Sequence, residues 1–199
     1  MQDHEPHSPL RRRLLAAAGL TLGAGFLAAP CRAGGVVAVH GGPVVPPVAV
    51  PPLRLTLADG RRTTLSALLT GRASALQLIF TGCTTTCPMQ GAIFQRVQRG
   101  FTAEDAARFQ LISLSINPLD DTPTALRTWL ARFGAKPGWL AGSPEPDDLA
   151  VLTEFFAGGA SSLDGHATEV QIVDREGALV WRTNELPAPE SVARLLRQA

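Results

Sequence analysis

The feature that most constrains this chain is the compact apolar run Ala75–Phe80, followed by Thr81-Gly82-Cys83-Thr84-Thr85-Thr86-Cys87-Pro88-Met89. A run of that length reads as a central strand, and proline is favoured at the first position of a helix. The two cysteines therefore fall at a strand-to-helix junction, where functional loops gather. Two thiols with three residues between them approach closely enough to bridge as a disulfide or to grip one soft metal ion. The unpaired N–H groups of a helix N-terminus favour a thiolate, which the pattern assigns to Cys87.

The elements around this junction set the fold class. Leu53–Leu57 alternates as a half-buried strand, Asp59-Gly60 makes a turn and Thr64–Leu69 a short helical turn. Beyond Pro88, Met89, Ile93, Phe94 and Val97 supply an apolar stripe as far as Gly100, with Met89 expected in the core rather than as a soft ligand. Leu111–Ile116 is the next strand, ended by Asn117-Pro118, and Thr122-Pro123 caps and opens a second helix. Its buried side carries Leu126, Trp129, Leu130 and Phe133. A third helix is expected over Asp147–Phe156. Glu169–Asp174 and Ala178–Trp181 read as a hairpin across Arg175-Glu176-Gly177, and Glu190–Arg197 as a closing helix. This order predicts an α/β, thioredoxin-like fold: a central mixed sheet flanked by helices, with an N-terminal strand or hairpin extension.

The N-terminal residues read differently. Arg11-Arg12-Arg13 precede the almost wholly apolar stretch Leu14–Ala29, the pattern of a secretory signal, and adjacent arginines suit the twin-arginine export route. The stretch is shorter than the roughly 20 residues a membrane helix normally needs. Residues 1–33 are thus expected to be a signal peptide, with an uncleaved membrane anchor as the rival. Cleavage after Ala33 would remove Cys31 with the signal. Residues 34–52, dense in Gly, Pro and Val, are expected to form an extended tether in which His40 is solvent-exposed. Residues 53–199 are expected to be one domain, exported to the periplasm or anchored facing it.

Composition narrows the partners. The net charge is +1 and no Lys/Arg cluster persists beyond the signal, which argues against nucleic acid. With Cys31 removed, only Cys83 and Cys87 remain. A purely structural staple is disfavoured, because so small a closed loop removes little unfolded-state entropy. A third candidate ligand is His166 in Leu163-Asp164-Gly165-His166-Ala167-Thr168, just before a strand expected to reach the same rim. Two thiolates and an imidazole suit Cu(I). Cu(II) would take an added oxygen or water ligand, and zinc lacks a good fourth ligand.

Several ordered motifs resemble the SCO/SenC family of thioredoxin-like copper proteins, which help assemble the copper centre of cytochrome c oxidase. The family's Cys-x-x-x-Cys-Pro signature is matched by Cys83 to Pro88. Its Asp-Pro-x-x-Asp-Thr-Pro segment is matched by Asn117 to Pro123, with Asn117 in place of the first aspartate. Its tryptophan-leucine-x-glycine turn is matched by Trp139 to Gly142, and its histidine segment by Gly165-His166-Ala167-Thr168 running to Gly177. The resemblance implies that Cys83, Cys87 and His166 are copper ligands and that Asp121 supports the site or meets a partner. It implies a metallochaperone that delivers Cu(I) to a cytochrome c oxidase subunit or related copper protein, with a periplasmic thiol reductant or another copper chaperone as further partners. The alternative is a thiol–disulfide oxidoreductase acting on the partner's cysteine pair. Copper is favoured by the three-residue spacing and by Ala167-Thr168, which stands where a thioredoxin carries its cis-proline. A peroxidase is a weaker option, since nothing beyond a thiol would activate peroxide.

Overall fold

The computed structural model describes residues 41–157 and 168–199. Its strands are β1 (Gly42–Ala49), β2 (Arg54–Leu57), β3 (Arg62–Thr64), β4 (Ala73–Ile79), β5 (Phe109–Ser115), β6 (Trp139–Pro144), β7 (Gln171–Val173) and β8 (Ala178–Arg182). The helices are α1 (Leu65–Leu69), α2 (Thr86–Arg99), α3 (Ala103–Arg108), α4 (Pro123–Arg132), α5 (Leu149–Ala157) and α6 (Pro189–Gln198). The strands form one mixed sheet in the order β1-β8-β7-β4-β5-β6-β2-β3. Here β4, β5 and β6 are parallel neighbours, and the other pairings are antiparallel.

Helices cover both faces, which is why β4 and β5 are buried along their whole length, including the polar Ser74, Gln77, Gln110, Ser113 and Ser115. Side chains alternate between the faces. Ala75, Ile79, Phe109 and Leu111 meet Phe94 and Val97 of α2, Leu126 and Trp129 of α4, and Val192 and Leu196 of α6. Leu76, Leu78, Ile112 and Leu114 face the opposite way, toward Leu65 and Leu69 of α1 and Leu152 and Phe156 of α5. The expected thioredoxin-like architecture is present, and β2 and β3 form the N-terminal hairpin around Gly60, whose φ of 87° suits glycine.

Three expectations need correction. Part of the segment read as a tether is strand: β1 pairs antiparallel with β8, Gly42 opposite Arg182 and Ala49 opposite Ala178. Its prolines are tolerated because β1 is an edge strand, where a missing N–H interrupts no central ladder. Residues Trp139–Gly142 are no turn but the start of β6, seated between β5 and β2. Met89 is 46 % exposed, so it is not core. Helix α2 begins two residues before Pro88, and its buried face is Cys87, Gln90, Gly91, Phe94 and Val97. Gly91 lets the ring of Phe133 lie where a Cβ would be, and this close approach fixes which face points inward.

Topology gathers several loops at one end. Because β7 is antiparallel to both β4 and β8, strand β8 runs in the same direction as β4 and β5. The loops leaving β4, β5 and β8 and the residues entering β7 therefore share one rim of the sheet.

Candidate metal centre at the sheet rim

Cys83 lies in the loop between β4 and α2, in a tight turn where its N–H donates to the Phe80 carbonyl at 3.2 Å. Cys87 is the second residue of α2. Both are free thiols, buried at 5 % and 3 % exposure against the α2, α4 and α6 side of the core. The loop brings the pair together: the Cys87 N–H donates to Cys83 Sγ at 3.5 Å. Thr85 Oγ1 and Thr86 Oγ1 stand 3.6 and 3.7 Å from the same sulfur.

These contacts reverse the expected location of the thiolate. Burial opposes ionisation of Cys83, but the Cys87 and Thr85 N–H groups and the two threonine hydroxyls outweigh it and bring the thiol down to about 6. Cys87 is pushed up to about 12, by burial first, and then by the neighbouring Cys83 sulfur and the Asp121 carboxylate. The free N–H groups of the helix N-terminus serve Cys83, because Cys87 lies inside the first turn and its own N–H points at that sulfur. Thr85 and Thr86 were not singled out from sequence. Their signal is the run of three threonines, Thr84 to Thr86, between the cysteines.

Asp121 is 2 % exposed and links the ends of β4 and β5. Its carboxylate accepts the Thr81 N–H at 3.0 and 3.2 Å, the Thr81 hydroxyl at 2.6 Å and the Ser115 hydroxyl at 2.6 Å. Ser115 Oγ in turn accepts the Asn117 N–H at 2.9 Å, and Asn117 Nδ2 donates to Asp120 at 2.9 Å. Asp121 thus holds the residue two before Cys83. The cap of α4 belongs to Thr122, whose hydroxyl accepts the Ala125 N–H at 3.2 Å.

His166 lies outside the described residues, as do Arg11–Arg13, Leu14–Ala29, Cys31 and His40. Thr168, two residues after His166 in sequence, is described and buried. It precedes β7 at the end of the sheet where β4 delivers the thiols. Among the described residues no three His, Cys, Asp or Glu side chains are grouped to hold a metal, and no helix is long and apolar enough to cross a membrane. The described part of the centre is thus a dithiol with one ionised and one protonated sulfur, braced from behind by a carboxylate.

Fold and site together define a thioredoxin-like protein with a buried dithiol at the strand-to-helix junction. A family model for SCO1/SenC matches residues 46–199, and the chain belongs to that family. Among solved structures, apo Sco1 from Thermus thermophilus is similar at a TM-score of 0.65 and 21% identity, covering 83% of this chain and 99% of that one. ScoI from Bradyrhizobium japonicum, solved with copper bound, is similar at a TM-score of 0.60 and 24% identity, covering 80% and 98%. Yeast Sco1 aligns at a TM-score of 0.64 and 18% identity, covering 77% and 94%. A comparison with curated protein sequences gave no match.

Proposed function

We propose that this protein holds one Cu(I) through the Cys83 and Cys87 thiolates and the His166 imidazole, and passes it to the copper centre of cytochrome c oxidase or a related copper protein. The observation that carries this reading is the convergence of the two free sulfurs in one buried rim site, with Cys83 already ionised near neutral pH. Family membership and the copper-bound relatives support it. Copper is cargo here. Binding displaces the proton of Cys87, so the site loads with proton release, and a partner's thiols take the ion by stepwise ligand exchange. A periplasmic address, reached through the Arg11–Arg13 and Leu14–Ala29 signal, fits a site that must be kept reduced in an oxidising compartment.

The unequal thiols favour a second reading. The Cys83 thiolate attacks a partner disulfide, forming a mixed disulfide and releasing one partner thiolate. Cys87 then gives up its proton and attacks Cys83 Sγ, releasing the second partner thiolate. The partner gains two electrons and the Cys83–Cys87 pair is oxidised.

His166→Ala separates the two, since it removes the imidazole and leaves the dithiol. The copper reading predicts that this variant loses most copper transfer to an oxidase copper-site domain while keeping disulfide reductase activity. Retained copper transfer refutes the delivery mechanism. Wild-type protein that reduces the partner but moves no copper establishes the second reading.

A further inference from the structure

The end of the sheet opposite the thiols carries a second concave site. Strands β5 and β6 begin there, at Phe109 and Trp139, and a seven-residue strand, roughly 20 Å, separates that end from the loop presenting Cys83. A cleft of about 210 Å³ opens between the last turn of α2, the start of α3 and the Lys136-Pro137-Gly138 loop before β6. Its apolar wall holds Phe101 and Phe109, with ring centroids 5.8 Å apart. Its polar wall holds Gln98, Arg99, Thr102 and Lys136. One glutamine joins α2 to the loop: Gln98 Nε2 donates to the Lys136 carbonyl at 3.0 Å, and Gln98 Oε1 accepts the Lys136 N–H at 2.9 Å.

Charge distinguishes this cleft from an ordinary surface groove. Among the described residues, no carboxylate stands within ion-pair distance of Arg99 or Lys136, nor of Arg96 on the same turn of α2. The adjoining acids of α3 are already engaged: Glu104 pairs with Arg108 at 3.5 Å, and Asp105 with Arg197 at 2.7 Å. Asp59 pairs with Arg61, and Asp174 and Glu176 belong to the β7–β8 turn, two strands from β5. Arg72 reaches behind the cleft wall from the start of β4. Its guanidinium donates to the Ala106 carbonyl and lies 3.9 Å from where a Cβ of Gly138 would stand, and its buried Nε finds no hydrogen-bond partner. The carbonyls ending α2, which would repel an anion, are occupied. The Gly100 N–H donates to those of Arg96 and Val97, and the Phe101 N–H to that of Gln98.

We propose that this cleft binds a small organic oxyanion, an aromatic ring carrying a carboxylate or a phosphate. The ring lies against Phe101 and Phe109, whose tilted pair offers both a face and an edge. The head group meets Arg99, whose planar fork matches an oxyanion bidentately, and Lys136 as a point charge. At about 210 Å³ the space falls below the roughly 300–1,000 Å³ typical of sites for drug-sized ligands, which selects a compact molecule over a peptide segment. The Gln98 bridge holds the cleft open in advance, so little ordering opposes binding. The site shares no residue with the thiol centre, and either reading can fail alone.

Titration of the full-length chain with phenylacetate and with phenyl phosphate, followed by backbone amide NMR shifts, tests the assignment. Saturable shifts are expected at Phe101, Thr102, Lys136 and Gly138, with the amides of Cys83 and Cys87 unmoved. The tighter of the two probes identifies the head group. Acetate, inorganic phosphate and benzyl alcohol each carry only part of the recognised chemistry and should bind several-fold more weakly. R99Q combined with K136Q should lower the affinity several-fold and flatten its salt dependence, because the head group loses both cations. A106F, which fills the cleft and leaves its charges in place, should abolish binding. Shifts that do not saturate, that map elsewhere, or that acetate or inorganic phosphate reproduces at equal concentration would overturn the site. So would full affinity in either variant. A peptide ending in phenylalanine that binds more tightly than both probes would overturn the small-molecule assignment.

Discussion

Asp121 and Thr81 are joined through both the backbone and the side chain of the threonine, with the Thr81 hydroxyl 2.6 Å from the carboxylate and its N–H at 3.0 Å. The link fixes the loop that presents Cys83 against the end of β5. Removing the carboxylate in D121A leaves the Thr81 N–H and two hydroxyls without their acceptor, at a cost on the order of 1–3 kcal/mol for each buried group left unsatisfied. Chemical denaturation should show D121A strongly destabilised and D121N less so, since the amide retains one acceptor oxygen. A D121A midpoint equal to wild type would show that the link contributes nothing.

The thiols should differ sharply in reactivity. Cys83, lowered to about 6, is largely thiolate at neutral pH; its alkylation rate should rise with pH through that value and level off above it. Cys87, pushed up to about 12, should stay unreactive until strongly alkaline conditions. The linkage sign is that of a depressed acid: the stability from ionised Cys83 is present above the ordinary thiol range and is lost as pH falls through about 6. Mass spectrometry of protein alkylated across this range identifies the site. Modification of Cys87 before Cys83 would contradict the assignment.

Gly91→Ala offers a test of how α2 is seated. Alanine is the better helix former by about 1 kcal/mol, so an open site would be stabilised. Here the added Cβ falls 2.4 Å from the Phe133 ring, itself packed 4.9 Å centroid to centroid from Trp129. Overpacking of that kind costs roughly 1–3 kcal/mol and should lower the thermal midpoint. A raised midpoint would mean that α2 and α4 are less tightly opposed.

Sequence patterning revealed the parts of this fold that local physics decides. Mostly apolar runs marked β4 and β5, because both faces of the sheet are covered. Thr122-Pro123 marked the start of α4, because a hydroxyl cap and a proline act within one turn. What tertiary contact decides was less legible. The prolines of β1 suggested a tether, and only the free edge beside β8 makes a strand tolerable there. Met89 fitted an apolar stripe, but the α2 face that turns inward is set by Gly91 meeting Phe133. The two cysteines were legible as a pair; their inequality was not, since it depends on where the Cys87 N–H and the threonine hydroxyls point. Asp121 was noticed through a motif, whereas its partners Thr81 and Ser115 come from two separate strand ends.

The central claim is that both thiols and His166 hold one Cu(I). Anaerobic titration of the fully reduced protein against a competing Cu(I) chelator tests it most directly, with C83S, C87S and H166A measured alongside. The account predicts one tightly bound Cu(I) per wild-type chain, loss of tight binding in either serine variant and a clear weakening in H166A. Wild-type affinity retained in C83S or C87S would contradict the proposed centre, and unchanged affinity in H166A would remove the histidine from it.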